Sequence, residues 1–303
     1  MVNKDHLRKG EKIQVTSSLM AGSLSGLVAR TFTAPMDTIK IRLQVMPGMG
    51  FTTMVKDVLK KEGLRGFWKG NVPGSAMYVI YGGVQFSSYS FYNSALNEFG
   101  WGPQLQGLIV GALAGMTSSM ISYPFDVLRT RFAADRRVMF SKLTHSIYEI
   151  WSQRGIQGFF KGCLSSMLTI SLNTSIMFGT YETIRVYCDN TREQFGERQW
   201  HHTLDHSASS MGAILAKLAT FPLDTARRRL MISDSRSVNR FTPKIEIYER
   251  YKGRGIIRVG WQILTYEGVF ALYRGLPLAL LKSIPTTAVS IWSYEACLRL
   301  LVN

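Results

Sequence analysis

Three stretches of the chain join a proline, an acid and two bases at one fixed spacing. They are Pro35-Met-Asp37-Thr-Ile-Lys40-Ile-Arg42, Pro124-Phe-Asp126-Val-Leu-Arg129-Thr-Arg131 and Pro222-Leu-Asp224-Thr-Ala-Arg227-Arg-Arg229. The aspartate and the first base lie three residues apart, so both fall on one face of a helix. Charges inside apolar helices are costly unless they are paired or meet water. Recurring three times, they point to ion pairs between helices that close a path. Five residues before the first and third prolines stand Arg30 and Lys217, with Ser119 at the matching place in the second copy. Neither cation has an acid at i±3 or i±4, and the same holds for Lys282. Three such cations, with no carboxylate expected within their reach, point to a polyanionic ligand such as a di- or triphosphate. Tyr78 and Tyr81 add flat aromatic surface suited to stacking on a heterocycle.

Other chemistries are missing from the sequence. No G-x-x-x-x-G-K-[ST] loop and no G-x-G-x-x-G following a strand is present. Cys163, Cys188 and Cys297 are scattered, and the histidines offer no H-E-x-x-H, so neither a disulfide framework nor a zinc site is expected. No nucleophile, base and orienter come together, so no enzyme and no cofactor is expected. The net charge of +16 would suit nucleic acid in a soluble protein, but no nucleic-acid module is found. With 46% hydrophobic and 18% charged residues, the charge fits anionic lipid or an anionic cargo instead. The opening stretch Met1–Gly10 is too short and polar for a secretory signal and does not read as a presequence, so any address is expected to be internal.

The elements that must position these groups also repeat. Each proline motif is followed by an aromatic-basic-glycine triplet: Trp68-Lys69-Gly70, Phe160-Lys161-Gly162 and Tyr273-Arg274-Gly275. Repetition on this scale is read before anything else, and it divides the chain into units of about 14–100, 101–195 and 202–303 within one domain, 1–303. Six long helices are expected, at 14–44, 71–98, 104–134, 163–190, 204–232 and 276–301. Polar interruptions leave none of them a clean apolar run of membrane length, as befits helices with one face toward water and one toward lipid. Amphipathic pieces at Met54–Lys61 and Leu143–Trp151 lie between the members of the first two pairs. The third connection, Ser233–Lys252, is longest and most polar and reads as a loop. Gly22/Gly26, Gly111/Gly115 and Ser209/Ala213 form a repeated small face that would let helix backbones approach closely.

The threefold P-x-[DE]-x-x-[KR]-x-[KR] motif, with Glu62-Gly63 and Glu267-Gly268 downstream and Arg154-Gly155 in their place in copy two, resembles the mitochondrial carrier family. The resemblance spans nearly the whole chain. It implies an all-α membrane protein of six transmembrane helices in three pseudo-symmetric repeats, with short amphipathic matrix helices, multi-pass in the mitochondrial inner membrane. It implies alternating access and a matrix gate pairing Asp37–Arg129, Asp126–Arg227 and Asp224–Lys40, with Gln44 bracing one pair. It implies a cytoplasmic gate thin in charge, made of Tyr89, Tyr181, Glu182, Arg185, Tyr294 and Glu295, with Arg185–Glu295 its one ionic pair. Family contact points fall on Met77, Tyr78, Thr169, Ile170, Lys282 and Ser283. One turn on, the same face carries Tyr81, Asn173 and Thr286, and a further turn brings Gln85. The glycine triplets match cardiolipin sites, and a monomer is expected.

Within the family, the stretches Ala34–Gln44, Phe86–Ser90, Ser122–Arg131 and Ile176–Arg185 resemble the fungal branch that carries thiamine pyrophosphate. That implies uptake of the coenzyme into the matrix in exchange for (deoxy)nucleotides. Arg227-Arg-Arg-Leu-Met-Ile232 is similar to the signature of the ADP/ATP carriers in four of its six residues, which keeps an adenine nucleotide or coenzyme A cargo as the alternative.

Overall fold

The computed structural model describes residues 15–97, 102–136, 143–195, 199–233, 235 and 238–302. The stretch Met1–Gly10 and the repeat edges at 14, 100, 101 and 303 lie outside them. All regular structure among the described residues is helical. Three long helices, α1 (Val15–Val45), α4 (Pro103–Ala134) and α7 (Gln199–Ser233), each run through the motif proline in their interior. Their partners α3 (Asn71–Leu96) and α6 (Cys163–Phe195) are continuous. The sixth expected helix is broken, into α11 (Leu276–Leu281) and α12 (Ser283–Val302). Pro285 has no N–H to offer the Leu281 carbonyl, so the helix is interrupted at Lys282. Helical bonds persist on either side, from Lys282 N–H to Leu278 O at 3.0 Å and from Thr286 N–H to Lys282 O at 3.1 Å.

Neighbouring repeats pack lengthwise: α3 along α4, α6 along α7, and α12 back along α1, so the six form a closed ring. The proline helices α1, α4 and α7 also meet one another. Among the described residues one segment, 104–134, is long and apolar enough by itself to cross a membrane, with mean hydropathy 1.3.

Short amphipathic helices connect each pair: α2 (Phe51–Glu62), α5 (Leu143–Arg154) and α9 (Ile256–Glu267). In α2, Met54 and Val58 are four apart and fully buried against Ile39, Leu43 and Met46 of the α1 end. Lys60 and Lys61 close its last turn, where cations suit the helix dipole. The connection expected to be a loop is more ordered than its polarity suggests. It holds a 3-10 turn, Val238–Arg240, a five-residue helix α8 (Ile245–Glu249), and four side chains in the main core: Val238, Phe241, Tyr248 and Tyr251. These apolar residues recur at near-helical spacing among charged ones, a pattern that overall composition conceals.

The glycines of the three triplets are all left-handed, with φ of 82°, 86° and 87° at Gly70, Gly162 and Gly275. Space forbids a side chain there as well: a Cβ on Gly70 would lie 2.8 Å from the Arg129 carbonyl. The small face works differently from the expectation. A Cβ on Gly22 or Gly111 would have nothing within 4 Å, while Gly26 seats the Tyr78 ring and Gly115 seats Ile170. Ser209 and Ala213 are exposed. Close backbone approach occurs instead at Gly212, whose Cβ would lie 2.8 Å from the Met177 carbonyl.

Candidate functional site

The proline helices converge on a triangle of carboxylates, all buried. Arg129 donates to Asp37 at 2.6 Å, Arg227 to Asp126 at 3.0 Å and Lys40 to Asp224 at 3.0 Å. Each joins one repeat to the next, so the ring is tied shut at the proline end. Lys40 also lies over the Phe221 ring, 5.3 Å from its centroid, and that ring stacks on Tyr273.

Every carboxylate also carries a second cation. Lys282 reaches both oxygens of Asp37, at 2.7 and 2.8 Å. Arg228 donates to Asp126 at 2.8 Å and also to Thr130. Lys217 stands 3.9 Å from Asp224, and Arg227 stands 3.6 Å from it. The expectation of three unpaired cations therefore fails for two of them. Lys282 lies 245 residues from Asp37, beyond any reading at helical spacing. Lys217 meets Asp224 about two turns further along its own helix, outside the i±3 and i±4 positions. Arg30 alone of the three has no side-chain hydrogen bond or ion pair among the described residues. Its Nε and Nη2 are buried without partners. The guanidinium fits against Gly74 of α3, whose Cβ would lie 2.7 Å from Nη2, and lines a small cavity with Asp37, Asn71 and Arg129.

The other expected contact residues lie on the helices facing this triangle. Met77, Tyr78, Tyr81 and Gln85 are on α3, Thr169, Ile170 and Asn173 on α6, and Ser283 and Thr286 on α12. The Thr169 and Thr286 hydroxyls are spent on their own helices, on the Ser165 and Lys282 carbonyls. Tyr78 and Tyr81 do not form one wall. Tyr78 leans on Gly26 of α1, whereas the Tyr81 hydroxyl lies near Gly115 of α4. Residues three apart on a helix diverge by roughly 60° around its axis, which sends the two rings to different neighbours.

Gln44 does not brace a gate carboxylate. Its amide nitrogen donates to Thr225 at 3.3 Å, and its oxygen is buried without a partner. Asp224 is already met by Lys40, Lys217 and Arg227, which leaves the amide the adjacent hydroxyl. At the opposite end, Tyr89, Glu182, Arg185 and Glu295 are exposed, with Tyr181 and Tyr294 partly so. Among the described residues no hydrogen bond or ion pair joins any of the six, so the Arg185–Glu295 link is not formed.

A second buried layer below the triangle was missed by sequence reasoning. Arg42 holds Glu62 through both nitrogens, at 2.6 and 2.9 Å, and donates to the Ala133 carbonyl of α4 at 2.8 Å. Arg229 repeats this with Glu267 and the Gln44 carbonyl of α1. The last base of the motif therefore binds the E-G glutamate of its own repeat and the end of the neighbouring proline helix. The residue after the motif aspartate helps: Thr38 and Thr225 donate to the Phe67 and Leu272 carbonyls, each at 2.7 Å. Val127 cannot, and Tyr123 donates to the Lys161 carbonyl instead, at 2.8 Å. The signal was the recurrence of E-G behind each motif, broken only by Arg154.

Comparison with known proteins bears on this arrangement. The sequence profile of the family described as mitochondrial carrier protein matches residues 11–99, 100–191 and 199–303. The chain belongs to the mitochondrial carrier family. This carrier is accordingly a multi-pass protein of the mitochondrial inner membrane, and its work is transport. Among its relatives are proteins named "Mitochondrial thiamine pyrophosphate carrier 1". The one from Saccharomyces cerevisiae (strain ATCC 204508 / S288c) is 50% identical, over 98% of this chain and 98% of the relative. That from Candida glabrata is 50% identical over 97% and 98%, and that from Kluyveromyces lactis 44% over 99% and 95%.

Proposed function

We propose that this carrier brings thiamine pyrophosphate into the mitochondrial matrix in exchange for (deoxy)nucleotides, by alternating access. The observation that carries the cargo is the likeness to relatives bearing that name, half identical along almost the entire chain. The site is compatible with it. Arg30 presents buried, unpartnered nitrogens beside the carboxylate triangle, and an anion there would supply the missing acceptors. Lys282, on Asp37, and Lys217, by Asp224, bring two more cations to the triangle. Tyr78 and Tyr81 serve as separate aromatic contacts. The closed triangle at the proline end, with no link among the six expected gate residues at the far end, all described, supports the reading of a carrier open toward the cytoplasm and shut toward the matrix.

In the same reading the protein needs no cofactor, acts as a monomer and binds no nucleic acid. Its lipid partner is cardiolipin. A cavity of about 700 Å³, lined by Leu43, Met49, Phe51, Pro277 and Leu281, lies where the amino-terminal ends of α2 and α11 meet. Arg274 at its edge and the glycine-capped N–H groups favour a phosphate above acyl chains.

The test is uptake by liposomes carrying the purified protein and loaded with thiamine pyrophosphate. External labelled thiamine pyrophosphate is expected to enter by exchange, with unlabelled ADP and coenzyme A competing less well. Robust ADP exchange without uptake of thiamine pyrophosphate would overturn the cargo and promote the nucleotide alternative.

A further inference from the structure

Repeat three differs from its siblings in one connection. Where α1 passes to α2 through residues 46–50, α7 passes to α9 only through 234–255. The described residues of this extra chain, 235 and 238–255, reach all three repeats at the proline end. Tyr248 is fully buried and donates to the Val45 carbonyl, at the last residue of α1, at 2.6 Å. That carbonyl is one of those a helix end leaves without an internal partner. Arg240 pairs with Glu149 of α5 at 3.2 Å, and Ser235 donates to the same carboxylate at 3.1 Å. The Arg240 carbonyl accepts the Arg136 N–H just past α4, at 3.1 Å, while the Arg136 side chain reaches Asp57 of α2. Val238, Phe241, Tyr248 and Tyr251 share one core with Ile41 and Val45 of α1, Leu128 of α4, Ile150 of α5 and Cys163 of α6.

We propose that this segment is a latch on the matrix gate, holding repeats one and two to repeat three and setting how readily the proline end opens. The idea rests on the alternating-access reading above. For the matrix side to open, the ends of α1, α4 and α7 must separate. Breaking the carboxylate triangle is then insufficient: Val45 must also leave Tyr248, and Glu149 must leave Arg240. The latch is made of groups outside the cargo site, so it alters the closed-to-open balance without touching the ligand. Burial pushes the Tyr248 phenol up from its ordinary pKa, so it stays a donor and the latch does not switch with physiological pH.

Two native cysteines report on it. Cys163 is buried in the latched core, and Cys188 is fully buried 25 residues further along α6. In a Cys297→Ser background, the rate at which a small thiol reagent modifies each is measured in the purified full chain. Tyr248→Phe removes the bond to Val45 and keeps the ring; Arg240→Gln removes the charge on Glu149. Together they are expected to raise Cys163 modification about tenfold, the loss of one hydrogen bond and one partly buried pair, with Cys188 unchanged. Equal acceleration at both cysteines would mean general unfolding and would overturn the latch, as would no change at Cys163. Wild-type protein with added thiamine pyrophosphate provides the separate check. If the coenzyme accelerates Cys163 while the variants do not, alternating access stands and the latch falls. If neither has an effect, both fall.

Discussion

Asp126→Arg is expected to abolish transport, and adding Arg227→Asp is expected to return only a small part of it. Asp126 is buried and accepts from two arginines, Arg227 at 3.0 Å and Arg228 at 2.8 Å. A simple exchange of partners would restore a simple pair. Here the new arginine would face Arg228, which keeps its charge and loses its acceptor. Removing one partner of a buried pair costs about 3–5 kcal/mol, and placing like charges together costs more. The single variant should therefore lose at least about 100-fold in initial uptake rate. A third change, Arg228→Leu, removes the repulsion, and the triple variant is expected to recover more than the double. Uptake in liposomes measures all three, with the melting temperature checking that each protein is folded. If the double variant recovers as fully as the triple, Arg228 is not part of the gate.

Arg228 illustrates what the sequence could and could not reveal. The repeats and the helices that carry them, the interruption at Lys282 aside, were legible because each motif is written three times in register. The three pairs between neighbours followed from the resemblance to the carrier family. A residue written once has no such support. Arg228 falls inside a run of three arginines, and its choice of Asp126 depends on a contact 102 positions away. The same limit explains Lys282, whose acid lies 245 positions away. Lys217 looked unpaired for a different reason, because Asp224 stands about two helical turns on, past the i±3 and i±4 positions. Tyr78 and Tyr81 looked like one wall because a helical wheel shows a shared face but not the grooves on either side. The order in 238–251 was hidden by charge, since Arg240, Lys244, Glu246, Glu249 and Arg250 outweigh the few apolar residues that reach the core. Glu62 and Glu267 were seen as a motif and not as partners of Arg42 and Arg229, because spacing on one helix face singles out the first base of each motif and leaves the last one unassigned.

Lys282→Ala is expected to weaken binding of thiamine pyrophosphate about 10- to 100-fold, and Asp37→Asn is expected to strengthen it. Both follow from one contact. Lys282 rests on both oxygens of Asp37, which also receives Arg129. A pyrophosphate bound near Arg30 must compete with Asp37 for that ammonium. A charge-assisted bond to phosphate is worth roughly 1.5–3 kcal/mol, which sets the loss in the alanine variant. The neutral amide introduced by Asp37→Asn holds the ammonium less firmly and releases it to the ligand. The loss in Lys282→Ala should grow from thiamine to its monophosphate to its pyrophosphate, because only the phosphates meet the cation. Calorimetric titration of the purified carrier with the three compounds reads both effects. If Lys282→Ala weakens all three equally, or Asp37→Asn leaves pyrophosphate affinity unchanged, Lys282 serves the gate alone. If both effects are found, the ligand takes from the gate one of the two cations on Asp37. Cargo binding then loosens the Asp37 corner of the triangle at the moment the site is filled. An empty carrier keeps Lys282 on Asp37 and stays shut, which is the condition that exchange requires.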